Sequence, residues 1–285
     1  MNSYIEIEYA GSDGLKLYAR DYGNADAGYT LLCMPGLTRN SADFHELAEQ
    51  LRADYRIIAV DQRGRGFSSY DENSDNYQPK VYVADMFALL DTLSLHNLVL
   101  VGTSLGGIMA MLMVASQPER FVGVVLNDIG PDINPQGLER IRGYVGNGPL
   151  TSSWEEAVSQ TRKINAKDFP DFDNAQWLKF SKALYREDDQ GRPRLAYDPS
   201  ISKAFRREGG AAPPDLWSAY EAMTDLPTLL VRGELSDILH ADCVAKMQRR
   251  KSDLHVTSLV HRGHAPTLVE KDALKAVRSF LIGLN

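Results

Sequence analysis

Residues 98–115 form an unbroken run of 18 residues without a charge. That is about the minimum for a membrane-spanning helix. However, Gly102-Thr103-Ser104 and Gly106-Gly107 interrupt it in the middle, and no Lys or Arg flanks it closely. The run is therefore read as a buried strand over 98–101, a tight turn, and a helix over 105–116 that is apolar on all sides. A strand and a helix that are both fully apolar must be covered on every face. That requirement points to a sheet with helices packed on both of its sides.

The rest of the chain supports this. Residues 4–9 alternate apolar and polar side chains, and 16–22 follow after the turn cluster Gly11-Ser12-Asp13-Gly14, so the two read as an antiparallel hairpin. Strands are expected at 30–34, 55–60, 98–101, 121–126, 228–231 and 254–259. Helices are expected at 41–53 (with Ser41 as N-cap), 81–93, 105–116, 241–250 and 271–282. Strands alternating with helices predict an α/β fold with a mostly parallel, eight-stranded sheet. Between residues 131 and 225 the alternation stops and no strand is expected. All three tryptophans, Trp154, Trp177 and Trp217, fall there, with helical patches near 154–163, 175–185 and 216–223. The predicted organisation is a core domain of residues 1–130 and 226–285, with a helical cap inserted at 131–225.

Composition narrows the function. The 285 residues carry 31 basic and 38 acidic side chains, a net charge of −7, which argues against a nucleic-acid partner. The short basic pairs, Arg206-Arg207 and Arg249-Arg250-Lys251, read as solvated surface. Neither Cys33 nor Cys243 has zinc-site or CxxC spacing. No apolar signal segment opens the chain, so a cytoplasmic, non-membrane location is expected.

The chemistry is carried by Gly102-Thr103-Ser104-Leu105-Gly106. A serine at a strand-to-helix turn is held in a strained conformation with its hydroxyl exposed, beside the free N–H groups of the helix N-terminus. Small residues are needed two positions before and after it, because strand and helix pass close together there. A serine nucleophile needs a base, and His264 follows the last predicted strand in a loop, where it can reach over the strand ends; His261 is the competitor. The histidine needs an acid. Asp237, after the strand at 228–231, is the first choice, with Asp128 and Glu234 as alternatives. A tetrahedral intermediate needs two donors. The backbone N–H groups of Leu105 and Leu37 are expected to supply them, with Gly36 letting the Pro35-Gly36-Leu37-Thr38 loop turn. Gly36, Trp154 and Tyr144 are candidate substrate contacts, while Arg142, Arg162 and Arg186 are candidate sites for a substrate carboxylate.

Taken together, Pro35-Gly36, Asp61-Gln62-Arg63-Gly64-Arg65-Gly66-Phe67-Ser68, the Ser104 turn, the Gly233/Asp237 loop and Gly263-His264 resemble the α/β-hydrolase superfamily over essentially the whole chain. The resemblance is nearest to lid-bearing enol-lactone hydrolases, small carboxylesterases and carbon–carbon hydrolases of meta-cleavage products. It implies a serine hydrolase acting on a small-molecule ester or lactone as a monomer or homodimer, with no metal or organic cofactor. The carbon–carbon hydrolases commonly carry Met after the serine and Trp after the histidine. Leu105 and Ala265 stand here instead. Acyl transfer, perhydrolysis and ligand binding on a hydrolase scaffold remain alternatives, and the 61–68 stretch is expected to shape a loop near the cleft.

Overall fold

The computed structural model describes residues 3–23, 28–206 and 215–284. In chain order the strands and helices are β1 (Ile5–Ala10), β2 (Lys16–Asp21), β3 (Thr30–Met34), α1 (His45–Leu51), β4 (Arg56–Asp61), α2 (Pro79–Thr92), β5 (Leu98–Thr103), α3 (Leu105–Ser116) and β6 (Phe121–Asn127). There follow α4 (Pro135–Tyr144), α5 (Trp154–Asn165), α6 (Asn174–Leu184), β7 (Tyr185–Glu187), β8 (Pro193–Leu195), α7 (Ile201–Arg206) and α8 (Leu216–Glu221). The chain closes with β9 (Thr228–Gly233), α9 (Ala241–Arg250), β10 (His255–Leu259) and α10 (Lys271–Ile282).

Eight strands form one sheet in the order β1-β2-β4-β3-β5-β6-β9-β10. The opening hairpin runs antiparallel, β2 pairs antiparallel with β4, and all later neighbours are parallel. The period-two geometry of a strand divides each central strand between two cores. In β3, Leu32 and Met34 face the side covered by α2, α3, α8 and α9, whereas Leu31 and Cys33 face the side covered by α1 and α10. In β5, Leu98 and Leu100 point one way and Val99 and Val101 the other. Each such buried side chain contributes about 1.5–3 kcal/mol of transfer free energy. Strands buried on both faces therefore read as unbroken apolar runs, which is why this part of the sheet was visible in the sequence.

The segment between β6 and β9 differs from expectation in three ways. It contains a short antiparallel hairpin, β7–β8, where no strand was expected. It also contains α4 and α7, which have no counterpart among the predicted patches. Finally, α8 packs into the main core: Leu216, Ala219 and Tyr220 are buried there, and the helix packs beside α3. The N-terminus of the 41–53 helix also shifts. Asn40, not Ser41, accepts a backbone hydrogen bond there (from Ala42), and a 3₁₀ turn precedes α1.

Among the described residues no helix is long and apolar enough to cross a membrane. Cys33 and Cys243 are both free and buried. Lys251 is a correction to the solvated-surface reading. It is 2% exposed, and its ammonium donates to the Thr224 carbonyl and pairs with Asp253. The Arg206-Arg207 pair lies outside the residues whose side chains are described.

Candidate active site

β5 delivers its chain directly into α3 through Ser104, whose backbone sits at φ 51° and ψ −114°. A non-glycine residue there is strained by about 1–3 kcal/mol. The surroundings hold it in place: the Ser104 N–H donates to the Asn127 carbonyl, and the Ser104 carbonyl accepts from Gly107 and Ile108. The flanking glycines are steric necessities. A Cβ on Gly102 would lie 2.4 Å from the Gly106 carbonyl oxygen, and one on Gly106 would lie 1.9 Å from that of Met34.

Ser104 Oγ and His264 Nε2 are 2.8 Å apart, and His264 Nδ1 is 2.8 Å from Asp128 Oδ2. With the proton on Nδ1, the ring donates to Asp128 and its Nε2 is free to accept from the serine hydroxyl. Asp128 is completely buried and lies one residue beyond β6. Its N–H donates to Val231, extending the ladder to β9, and its carboxylate accepts from the Gly233 N–H (2.9 Å) and the Ser236 hydroxyl (2.6 Å). With the bond from His264, the buried carboxylate accepts from three donors, which fixes its orientation.

The carboxylate that meets His264 is therefore that of Asp128 and not of Asp237, the first choice from sequence. Asp237 lies four residues past the end of β9, in a loop that curls back through the Ser236 N–H to the Gly233 carbonyl. Its carboxylate turns toward the inserted segment. There it accepts two bonds from Arg140 on α4 (2.6 and 2.8 Å) and one from Lys167. Burial pushes its pKa up, but the bonds from Arg140 and Lys167 outweigh that and hold the carboxyl well below the usual range. Glu234 is exposed, and His261 sits on an exposed loop. Asn127, which sequence reasoning passed over, donates to the Pro266 carbonyl (2.8 Å) and to Thr103 Oγ1 (3.0 Å). It ties the loop carrying His264 to the end of β5. The signal for it in the sequence is its place beside Asp128 at a strand end.

The Pro35–Thr38 loop faces Ser104; a Cβ on Gly36 would lie 3.7 Å from Ser104 Cβ. Three of its carbonyls are occupied. Pro35 accepts from Gln62 Nε2 (3.1 Å), Gly36 from the Arg39 N–H (3.1 Å) and Leu37 from Arg65 Nε (2.8 Å). Among the described residues neither the Leu37 N–H nor the Leu105 N–H has a protein acceptor. The 61–68 stretch thus braces the loop beside the serine. Arg63, fully buried, is the keystone of that stretch, ion-paired to Asp13, Asp71 and Asp85.

Above the serine lies a cavity of about 670 Å³ bounded by Gly36, Leu37, Tyr144, Phe169, Phe172, Phe180 and His264. This is within the usual range for small-molecule sites. Gly36 and Tyr144 line it. Trp154 does not: its indole N–H donates to Glu187 (2.8 Å) and its ring packs on Tyr185. Trp177 is buried against Phe169, Phe172 and Phe180, and Trp217, also outside the lining, donates to Asp132. Arg142, Arg162 and Arg186 are also absent from the lining. The arginines that do border it are Arg20, Arg39 and Arg262; Arg39, next to the Pro35–Thr38 loop, is clasped by Asp43 and stacked on Phe180 at 4.3 Å. Among the described residues no group of three or more His, Cys, Asp or Glu is arranged to hold a metal.

The strained serine at the strand–helix turn, the histidine and carboxylate behind it and the sheet order together define an α/β-hydrolase. Residues 29–272 match the family described as alpha/beta hydrolase fold, and the chain belongs to it. It is 31% identical over 271 residues to a 3-hydroxybutyrate-oligomer hydrolase of Cupriavidus necator, covering 92% of each chain. It is 30% identical to a 2-(acetamidomethylene)succinate hydrolase of Mesorhizobium japonicum, covering 94% of this chain and 92% of the other. A crystal structure of an alpha/beta hydrolase from Novosphingobium aromaticivorans superposes with a TM-score of 0.93 at 40% identity over 99% of both chains.

Proposed function

We propose that this hydrolase cleaves a small carboxylic ester or lactone through an acyl-enzyme on Ser104. The observation that carries this reading is the continuous hydrogen-bonded line from Ser104 Oγ through His264 to Asp128, 2.8 Å at each step, at the floor of an apolar cavity. His264 Nε2 takes the hydroxyl proton as Ser104 Oγ attacks the carbonyl carbon. The carbonyl oxygen becomes an oxyanion held by the N–H groups of Leu37 and Leu105. As the tetrahedral intermediate collapses, His264 gives the proton to the leaving alkoxide. A water molecule then repeats the sequence: His264 accepts its proton, the acyl–serine bond breaks, and the acid leaves with Ser104 re-protonated. Asp128 holds the Nδ1–H tautomer and stabilises the imidazolium at each stage.

The likeness to a 3-hydroxybutyrate-oligomer hydrolase supports an ester substrate. The wall of Phe169, Phe172, Phe180 and Tyr144 favours an apolar or aromatic acyl group. The elements from α4 to α7 act as the cap that encloses it. A second reading, cleavage of an acylated nitrogen in an anionic substrate, is favoured by Arg39 at the cavity edge and by the likeness to 2-(acetamidomethylene)succinate hydrolase.

The test is steady-state hydrolysis of p-nitrophenyl esters, small lactones, 3-hydroxybutyrate dimers and 2-(acetamidomethylene)succinate, with Ser104→Ala alongside. Ester or lactone turnover that falls by about 10⁴-fold or more in the variant supports the reading. Unchanged activity in Ser104→Ala overturns it. Turnover of the succinate alone moves the assignment to the second reading.

A further inference from the structure

The inserted segment meets the loop that carries His264 at Asp168, which lies between α5 and α6. Its carbonyl accepts from the Gly263 N–H at 2.8 Å, and its Oδ1 accepts from the His264 N–H at 3.2 Å. Two consecutive amides of the His264 loop are therefore both satisfied by one residue of the insertion. The approach is so close that a Cβ on Gly263 would lie 2.1 Å from Asp168 Oδ1 and 2.8 Å from its Cα. This accounts for the glycine before the histidine. The neighbouring contacts follow the same seam. Arg262 pairs with Asp171 and Glu270, and its guanidinium lies over the rings of Phe169 and Phe172.

Asp168 is fully buried, and among the described residues its Oδ2 has no hydrogen-bond partner; Arg140 Nη1 lies 3.8 Å from it. Burial raises its pKa, against the pull of Arg140 and Lys167. Leaving one oxygen of a buried carboxyl without a hydrogen bond is costly, so the site keeps a carboxylate there for what its other oxygen holds. A catalytic histidine needs its ring held to within a fraction of an ångström, and backbone hydrogen bonds are the means of fixing the loop that carries it.

From these contacts we infer that Asp168 is a positioning residue for His264, through which the inserted segment sets the geometry of the base. This rests on the acyl-enzyme reading above.

The experiment compares Asp168→Ala, Asp168→Leu and Asp168→Asn with the unaltered enzyme. Asn keeps an oxygen for the His264 N–H; Ala and Leu do not, and Leu preserves the buried volume should Ala fail to fold. The readouts are kcat and KM on the best p-nitrophenyl ester, the rate of Ser104 labelling by a fluorophosphonate, and thermal midpoint. The expected result is a fall of about 100-fold in kcat and in labelling rate for Ala or Leu, with KM within about threefold. Recovery of most of both rates in Asn is the second part of that expectation. A folded Ala or Leu variant with unaltered kcat and labelling rate overturns the proposal, even if its thermal midpoint drops. So does an Asn variant as slow as Leu. Failure of the unaltered enzyme to be labelled, or to turn over any ester, counts against the acyl-enzyme reading, and is distinguishable because it needs no Asp168 variant.

Discussion

At the scale of single residues, the site separates two aspartates that look alike in the sequence. Asp128 and Asp237 each follow a parallel strand, and each precedes His264 in the chain. What differs is the direction in which each side chain leaves the sheet. Asp128 continues the β6 ladder and is fixed by Gly233, Ser236 and His264, whereas Asp237 is turned outward to two cations. The expected outcome of Asp128→Asn is a loss of about 10⁴-fold in kcat, because the amide cannot hold the correct tautomer. Asp237→Asn should leave kcat within about threefold, since it touches no group of the reacting line. Steady-state kinetics on one ester for both variants checks the assignment; the reverse pattern would return the acid to Asp237. Ser104, His264 and the flanking glycines were legible because the strand–helix turn is a local feature. The partner of His264 was not, because it depends on which of two loop ends faces inward.

At the scale of elements, two charged clusters join parts of the fold. The first is Arg63 with Asp13, Asp71 and Asp85, which ties β4 and the loop after it to α2 and the opening hairpin. Arg63→Ala leaves Asp85, 1% exposed, and Asp71, 9% exposed, without their cation. Breaking a buried pair in this way costs about 3–5 kcal/mol, read as a lower urea midpoint at unaltered slope. Because Arg65 in the same stretch braces the Leu37 carbonyl, kcat should fall in Arg63→Ala even at temperatures where the variant is folded.

The second cluster, Asp237 with Arg140 and Lys167, joins the β9 loop to α4 and to the α5–α6 connection. Its folded carboxyl titrates below the unfolded value, so it contributes stability above about pH 4. That contribution is lost as pH falls through the folded pKa. Asp237→Asn should therefore lower stability by about 1 kcal/mol at pH 7, a figure reduced for solvent screening. The gap to the unaltered protein should narrow below about pH 4. Urea titrations at pH 7, 5 and 3 test this; a gap that widens on acidification would contradict the sign. Neither cluster is visible in the sequence, since their members lie far apart along the chain.

At the scale of the whole molecule, the ends of the strands supply the hydrogen-bonded line of Ser104, His264 and Asp128, and the inserted segment supplies much of the cavity wall. Phe172 and Phe180 come from that segment and face the space above Ser104, each packed against Phe169. Phe172→Ala or Phe180→Ala should raise KM for aromatic esters several-fold while changing kcat for p-nitrophenyl acetate little, as expected for a wall that binds without touching the reacting atoms. A larger effect on acetate than on aromatic esters would show that these rings serve the chemistry instead.

The sequence alone determined the sheet and its order of strands and helices, the edge hairpin, the serine turn and the place of the histidine. These follow from patterns within about 20 neighbouring residues: period-two and period-3.6 burial, and glycines where backbones touch. Only the tertiary structure decided that Asp128 meets His264, that Trp154 stays out of the cavity while Phe169, Phe172 and Phe180 line it, and that α8 joins the core. It also decided that Asp168 accepts from the His264 N–H. Each of these depends on where a side chain from one segment points relative to another more than 20 residues away. That direction is set by packing and by the pairing of buried charges, which no local pattern encodes.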